Sequence, residues 1–187
     1  MKLKKLTIIA LSALAGAAVG CTDFVEPGKD NVLTREDVIA NPVLAEGILL
    51  KAYDNLPTTL NYTEVAVDDA HSNNISNGYM LAAMGAWRST SDPFSQWRNY
   101  TQIAYISYFL DQIVDDVKWS YTSEWRAEHF PNRLKGEAYA LRAYHHSLIL
   151  QAHAGRSASG ELLGVPYMDR FISSKQEQDG LQRLPFA

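Results

Sequence analysis

The chain of 187 residues has a single cysteine, Cys21. No internal disulfide can form, and no cluster of thiols can hold a metal. Basic charge is also scarce: no run of Lys or Arg occurs after Lys5. The positive footprint that a nucleic acid requires is therefore missing, which excludes that partner class. The formal charge of −4 understates the acidity of residues 21–187. Residues 1–20 hold Lys2, Lys4 and Lys5 and no acid, leaving 14 basic and 21 acidic residues, a charge of −7. A His-Glu-x-x-His metal motif is absent, and so is the pattern of a strand-rich sheet. The remaining composition is ordinary: 47% hydrophobic and 20% charged residues, enough for one domain with a core, and not a composition for disorder.

The first twenty residues read as an address. Lys2, Lys4 and Lys5 form a positive start, and residues 6–19 are a 14-residue uncharged stretch rich in Ala, Leu and Ile. That is shorter than the roughly 20 residues a membrane-crossing helix needs, and suits a signal-peptide core. It ends Ala18-Val19-Gly20-Cys21, which resembles the lipobox of bacterial lipoproteins, with Ala18 where Leu is commoner. The resemblance implies diacylglycerol on the Cys21 sulfur, cleavage before it, and a further acyl chain (palmitate in type) on the new N-terminus. Each buried methylene contributes about 0.8 kcal/mol, so several chains hold firmly where one holds marginally. An ordinary signal peptide with a chance cysteine is the alternative. Residues 21–33 read as a tether, with Asp23, Glu26, Asp30 and Pro27-Gly28. Acidic residues after the lipid cysteine also resemble the surface-export signal of Bacteroidetes lipoproteins, here interrupted by Phe24 and Val25.

Beyond the tether, residues 34–187 predict an all-α domain of antiparallel helix pairs with long loops. Thr34 with Asp37 approximates a capping box for a helix through Ala40. Asn41-Pro42 breaks it, and Pro42 opens a helix to about Leu56, with Leu44, Ile48, Leu49, Ala52 and Tyr53 on one face. Residues 58–92 carry no long helical stripe, only one or two short turns around residues 80–87. A loop of that length in a compact domain is often functional. Ser91 or Asp92 caps the next predicted helix, with Pro93 in its first turn and apolar residues from Trp97 to Val114 at three- and four-residue steps. Trp119, Tyr121 and Trp125 fall in the next connection. A long helix is predicted over 128–154, with one stripe through Leu134, Ala138, Leu141 and Leu148. A second stripe runs through Ala140, Ala143, Tyr144, Ser147 and Leu150, so that the helix packs between neighbours. Gly155 is its expected C-cap. Residues 156–187 are loop-rich, and no convincing copy of the tetratricopeptide signature stands in the sequence.

The run Leu134-Lys135-Gly136-Glu137-Ala138-Tyr139-Ala140-Leu141-Arg142-Ala143-Tyr144, followed by Gly164-Val165-Pro166, resembles the best-known block of the SusD/RagB proteins. Trp97, Tyr100, Ile103, Leu110 and Ile113 are similar to the family's preceding helix. Two departures stand out: Ser107 where the family has asparagine, which puts a helix-packing hydrogen bond in question, and an extra loop at residues 156–162. The resemblance runs from Cys21 to about Val165-Pro166. It implies tetratricopeptide-like helix pairs and a longer protein, of which 34–187 is the N-terminal helical part, incomplete at its C-terminus. It further implies a surface-exposed lipoprotein anchored in the outer membrane, sitting on a TonB-dependent (SusC-like) transporter. Such a protein binds oligosaccharides and passes them to the pore, a polysaccharide-utilisation and nutrient-uptake role with no cofactor and no covalent chemistry. A helical-repeat scaffold lipoprotein that binds peptides or proteins is the alternative.

The individual side chains favour binding over catalysis. Glu137 and Arg142 are five apart, about 140° around a helix, so each needs a partner on a neighbouring element. His145, His146 and His153 have no acidic residue at a ligand-like offset and read as packed or rim histidines. Asp68, Asp69 and His71 do not establish the fixed carboxyl separation of a glycosidase. Carbohydrate binding instead needs flat apolar faces bordered by amides and carboxylates. Tyr79, Trp87 and Arg88, with Asp69, Asn73 and Asn74, supply that mixture in one loop, unless Trp87 plugs the core. Trp119 and Trp125 are weaker aromatic candidates. The lipobox reading has a direct consequence. Cys21→Ala is expected to move the protein from the membrane fraction to the soluble fraction of fractionated cells, and full membrane retention would refute acylation.

Overall fold

A computed structural model describes residues 32–57 and 62–185. Cys21, the predicted signal peptide and nearly all of the tether lie outside the described residues. The rest is mostly helical, as its sequence patterns require. In chain order it contains α1 (Arg35–Ala40), α2 (Pro42–Leu50), α3 (Gly78–Leu81), α4 (Asn99–Gln112), α5 (Glu124–His153) and α6 (Lys175–Asp179). Two-residue strands β1 (Gly155–Arg156) and β2 (Leu162–Leu163) pair antiparallel after α5, a small hairpin where only loop was expected. Among the described residues no helix is long and apolar enough to cross a membrane.

The Asn41-Pro42 punctuation works as local chemistry demands. The Asn41 side chain accepts the Val43 N–H at 3.0 Å, and Pro42 takes the first helical position, where no N–H is missed. The predicted helix to Leu56 tightens after Leu50 into a 3-10 turn over Lys51–Asn55.

Helices α4 and α5 make the central pair. Asn99 at the start of α4 meets His145 late in α5, and Asp115 just past α4 pairs with Lys135 early in α5, so the two run antiparallel. Their seam runs through the core, which Val38, Ala45, Leu49 and Ala52 complete on one side and Val165, Met168 and Ile172 on another. Ile103, Ile106 and Phe109 of α4 are fully buried, each contributing about 1.5–3 kcal/mol by leaving water. Leu134, Ala138, Leu141, His145 and Ile149 answer from α5 at steps of three and four. The buried stripe thus runs through His145, not Leu148. The imidazole is tolerated because it has two acceptors in reach, the Ala52 carbonyl 2.9 Å from Nε2 and Asn99 Oδ1 2.7 Å from Nδ1, and the single N–H of a neutral ring donates to one of them. The second stripe is not sandwiched: Ala140, Ala143 and Tyr144 are exposed, and α5 is buried along one side only among the described residues.

Several boundaries differ from the sequence expectation. Helix α4 begins at Asn99, not near Pro93, because Asp92 spends its carboxylate on the Phe94 N–H and the Trp87 indole. Helix α5 begins at Glu124, since Ser123 Oγ accepts the Arg126 N–H, so Trp125 belongs to the helix and Pro131 to its interior. Gly155 is not a left-handed cap; Ala154 ends the helix in extended backbone. Ser107 is buried in α4, and among the described residues its hydroxyl has no hydrogen-bond partner.

Two more histidines fasten segments to α5. His146 Nδ1 donates to the Arg142 carbonyl at 2.9 Å, while Nε2 accepts the Met168 N–H at 3.1 Å. His153 Nε2 accepts the Gln96 N–H at 2.9 Å. Both rings must be neutral at Nε2 to do so. Burial pushes all three histidines below their ordinary value, opposed for His145 by the Ala52 carbonyl and for His146 by the Arg142 carbonyl. The unfolded chain therefore takes up protons first as pH falls. The stability carried by the neutral rings is present above the unfolded value of about 6.5 and is lost as pH drops through and below it. The thermal midpoint is expected to fall by a few degrees from about pH 7.5 to about 5.5. The slope should flatten in a His146→Gln, His153→Gln variant, and a wild-type midpoint independent of pH there would contradict this account.

Candidate functional site

The loop before α4 is built from short-range turn chemistry. Asn77 caps α3, its side chain accepting the N–H groups of Tyr79 and Met80 at 3.0 and 3.1 Å. Met80 is buried and anchors the turn, while Tyr79 is left half-buried. A π-helical turn comes next over Ala82–Ala86, within which Gly85 adopts φ +82°. That left-handed backbone favours glycine and ends the helical path. Trp87 emerges extended and 62% exposed, so it does not plug the core. A tight turn joins Arg88 to Ser91 through the Ser91 N–H and Arg88 carbonyl at 2.9 Å.

Asp92 then organises the aromatic residues. Its Oδ1 accepts the Trp87 indole N–H at 3.2 Å and the Phe94 N–H at 2.9 Å. Phe94 stands edge-on between two rings, 5.3 Å from Tyr79 and 6.5 Å from Trp87. Such edge-to-face contacts are favourable in their own right and hold the rings in fixed relation. Together with Gln96 and with Leu148, Gln151 and Ala152 of α5, these residues line a hollow of about 440 Å³. Its floor is the rigid C-terminal part of α5. Beside it, Trp97 stacks on His153 at 3.8 Å with an 11° tilt, which braces the Gln96 backbone.

The six ligand-binding candidates divide. Tyr79 and Trp87 line the hollow together, whereas Asp69, Asn73, Asn74 and Arg88 are exposed on turns and do not. Asn74 has a local duty, its Oδ1 accepting the Ser76 N–H. Asp92, Phe94, Gln96 and Gln151 take the polar and aromatic places assigned to that group. The sequence does hold a signal for Asp92, but an Asp-Pro pair reads equally as a helix cap or as a turn. Gln151 stays hidden there because only the fold brings the end of α5 under the loop.

The remaining candidates settle into structural roles. Glu137 accepts from the Tyr53 hydroxyl at 2.5 Å, which together with burial pushes that phenol up to about 12. Arg142 donates to the Asp169 carbonyl at 2.5 Å and lies 5.2 Å over the Tyr139 ring. Each partner is on another element or another turn, as the 140° separation requires. Trp119 is buried, its indole N–H donating to the Val114 carbonyl at 2.8 Å, and so belongs to the core. Asp68, Asp69 and His71 are all exposed on their turn. A larger hollow, about 530 Å³, lies between α5 and residues 164–185 and contains none of the predicted ligand-binding residues. Comparison with known proteins finds no match among family models, curated proteins or solved structures.

Proposed function

We propose that this chain is the N-terminal part of a SusD/RagB-type lipoprotein. In this reading it is held at the outer membrane through Cys21, binds glycans without chemically altering them, and hands them to a TonB-dependent transporter. The lipobox-like Ala18-Val19-Gly20-Cys21 and the Gly136-Glu137-Ala138…Leu141-Arg142-Ala143 block support the family reading. The antiparallel α4–α5 pair fits helix pairs of tetratricopeptide type. One observation carries the binding reading: Trp87 is exposed yet held in place by Asp92 beside a hollow edged by carboxylate and amide side chains. An aromatic face that is both wet and oriented suits the C–H face of a sugar ring, and the polar rim suits its hydroxyls. The preorganised ring loses little freedom when a ligand arrives.

A scaffold lipoprotein binding peptides or proteins is the second reading. The apolar side of α5 that no other described residues cover, with Tyr139 and Tyr144 more than two-fifths exposed, favours it.

Trp87→Ala separates the two. Binding of neutral oligosaccharides, read by calorimetry, is expected to weaken at least about tenfold, while the thermal midpoint stays within a few degrees of wild type. Retained glycan affinity would remove Trp87 from the site, and a collapsed midpoint would make it structural.

A further inference from the structure

A third hollow, of about 550 Å³, lies at the opposite end of α5 from the aromatic loop. Its lining includes Ser123, Trp125, Arg126, His129, Phe130 and Arg133. Two features of it are unusual for this acidic chain. Arg126 and Arg133 both lie over the one Phe130 ring, at 5.5 and 5.0 Å from its centre. Among the described residues neither guanidinium has a carboxylate within ion-pair distance, whereas Arg35, Arg170 and Lys135 each have one. Glu124 and Glu128, on the same turns of helix, do not line the hollow. The pair is thus two like charges gathered on one face without a counter-ion among the described residues, an arrangement that an arriving anion relieves.

The second feature is a platform. Trp125 is 68% exposed and stacks on His129 at 4.6 Å with a 14° tilt. His129 Nδ1 is held 2.9 Å from the Trp125 carbonyl, and Phe130 leans on the buried Trp119 at 5.6 Å. The base of the hollow is therefore fixed to the core, and one wall is a flat aromatic face open to water.

We propose that this hollow is a distinct binding site for an acidic saccharide, one that carries a carboxylate on a sugar ring. That the ligand is a saccharide rests on the glycan reading above; that it is anionic comes from the two arginines alone. A uronate ring presents both groups the hollow asks for: a C–H face for Trp125, and a planar carboxylate that a guanidinium can grip through two parallel N–H donors. Extended polyanions are opposed by the −7 charge of the chain beyond residue 20, so a single acid among neutral sugars fits better than a nucleic acid.

The test uses the full chain and three probes: a glucuronate-bearing xylo-oligosaccharide, its methyl ester, and a deoxythymidine oligomer. Calorimetry on wild type is expected to show the acid binding at least about tenfold tighter than the ester, because esterification removes the charge that the guanidinium's paired N–H donors grip. Arg126→Gln with Arg133→Gln should erase that difference, while Trp87→Ala should leave it intact. Equal binding of acid and ester by wild type overturns the proposal, as does a preference that survives loss of both arginines. Tighter binding of the deoxythymidine oligomer than of the acid also overturns it. Neutral binding that depends on Trp87 without an acid preference defeats this site and leaves the glycan reading standing. An acid preference that depends on the arginines, with neutral binding indifferent to Trp87→Ala, supports this site and removes Trp87 from the neutral-glycan site.

Discussion

The α4–α5 seam is the constraint on which the rest depends, and its most demanding point is polar. His145 is fully buried on α5, with one ring nitrogen toward the Ala52 carbonyl and the other toward Asn99. Asn99 in turn accepts from Asn55 and donates to Gln96. Four segments meet there: the 3-10 turn after α2, the residues before α4, α4 itself and α5. Unpaired polar groups at such a point would cost about 1–3 kcal/mol each, so the register between the helices is fixed by hydrogen bonds as well as by apolar fit. The aromatic loop inherits that precision through Gln96, which is bonded both to Asn99 and to His153.

The loop itself contributes little to the core. Of residues 62–92 only Met80 is buried. Its shape comes from three local devices: the Asn77 cap, the left-handed Gly85, and the Asp92 carboxylate that holds Trp87 and Phe94 at once. Because these act over a few residues, the loop can present a large aromatic surface to water without drawing it into the interior. That division, a rigid helical floor with an aromatic rim set by turns, is what a shallow binding surface requires.

Helical periodicity is legible wherever apolar spacing is strict. Ile103, Ile106, Leu134, Ala138 and Leu141 are buried as their spacing predicts. The pattern misleads where a polar residue is buried or an apolar one is not. His145 completes the α5 stripe only because Asn99 and Ala52 offer partners from elsewhere in the chain. Ala140 and Ala143 carry helical spacing yet stay exposed. Asp92-Pro93 has the composition of a helix cap, but the carboxylate finds a better use in the turn. Within the candidate site, Tyr79 and Trp87 are visible as aromatics in a polar loop. Phe94 and Gln151 are not, because only folding brings them beside those rings.

The account stands on an oriented, water-facing Trp87 and a core-bound Trp119 in the same fold. Fluorine NMR of protein labelled with fluorotryptophan resolves the four tryptophans separately. Adding neutral oligosaccharide is predicted to shift the Trp87 resonance and to leave Trp119 unmoved. A Trp87 resonance indifferent to every glycan offered, or a response centred on Trp119, would contradict it.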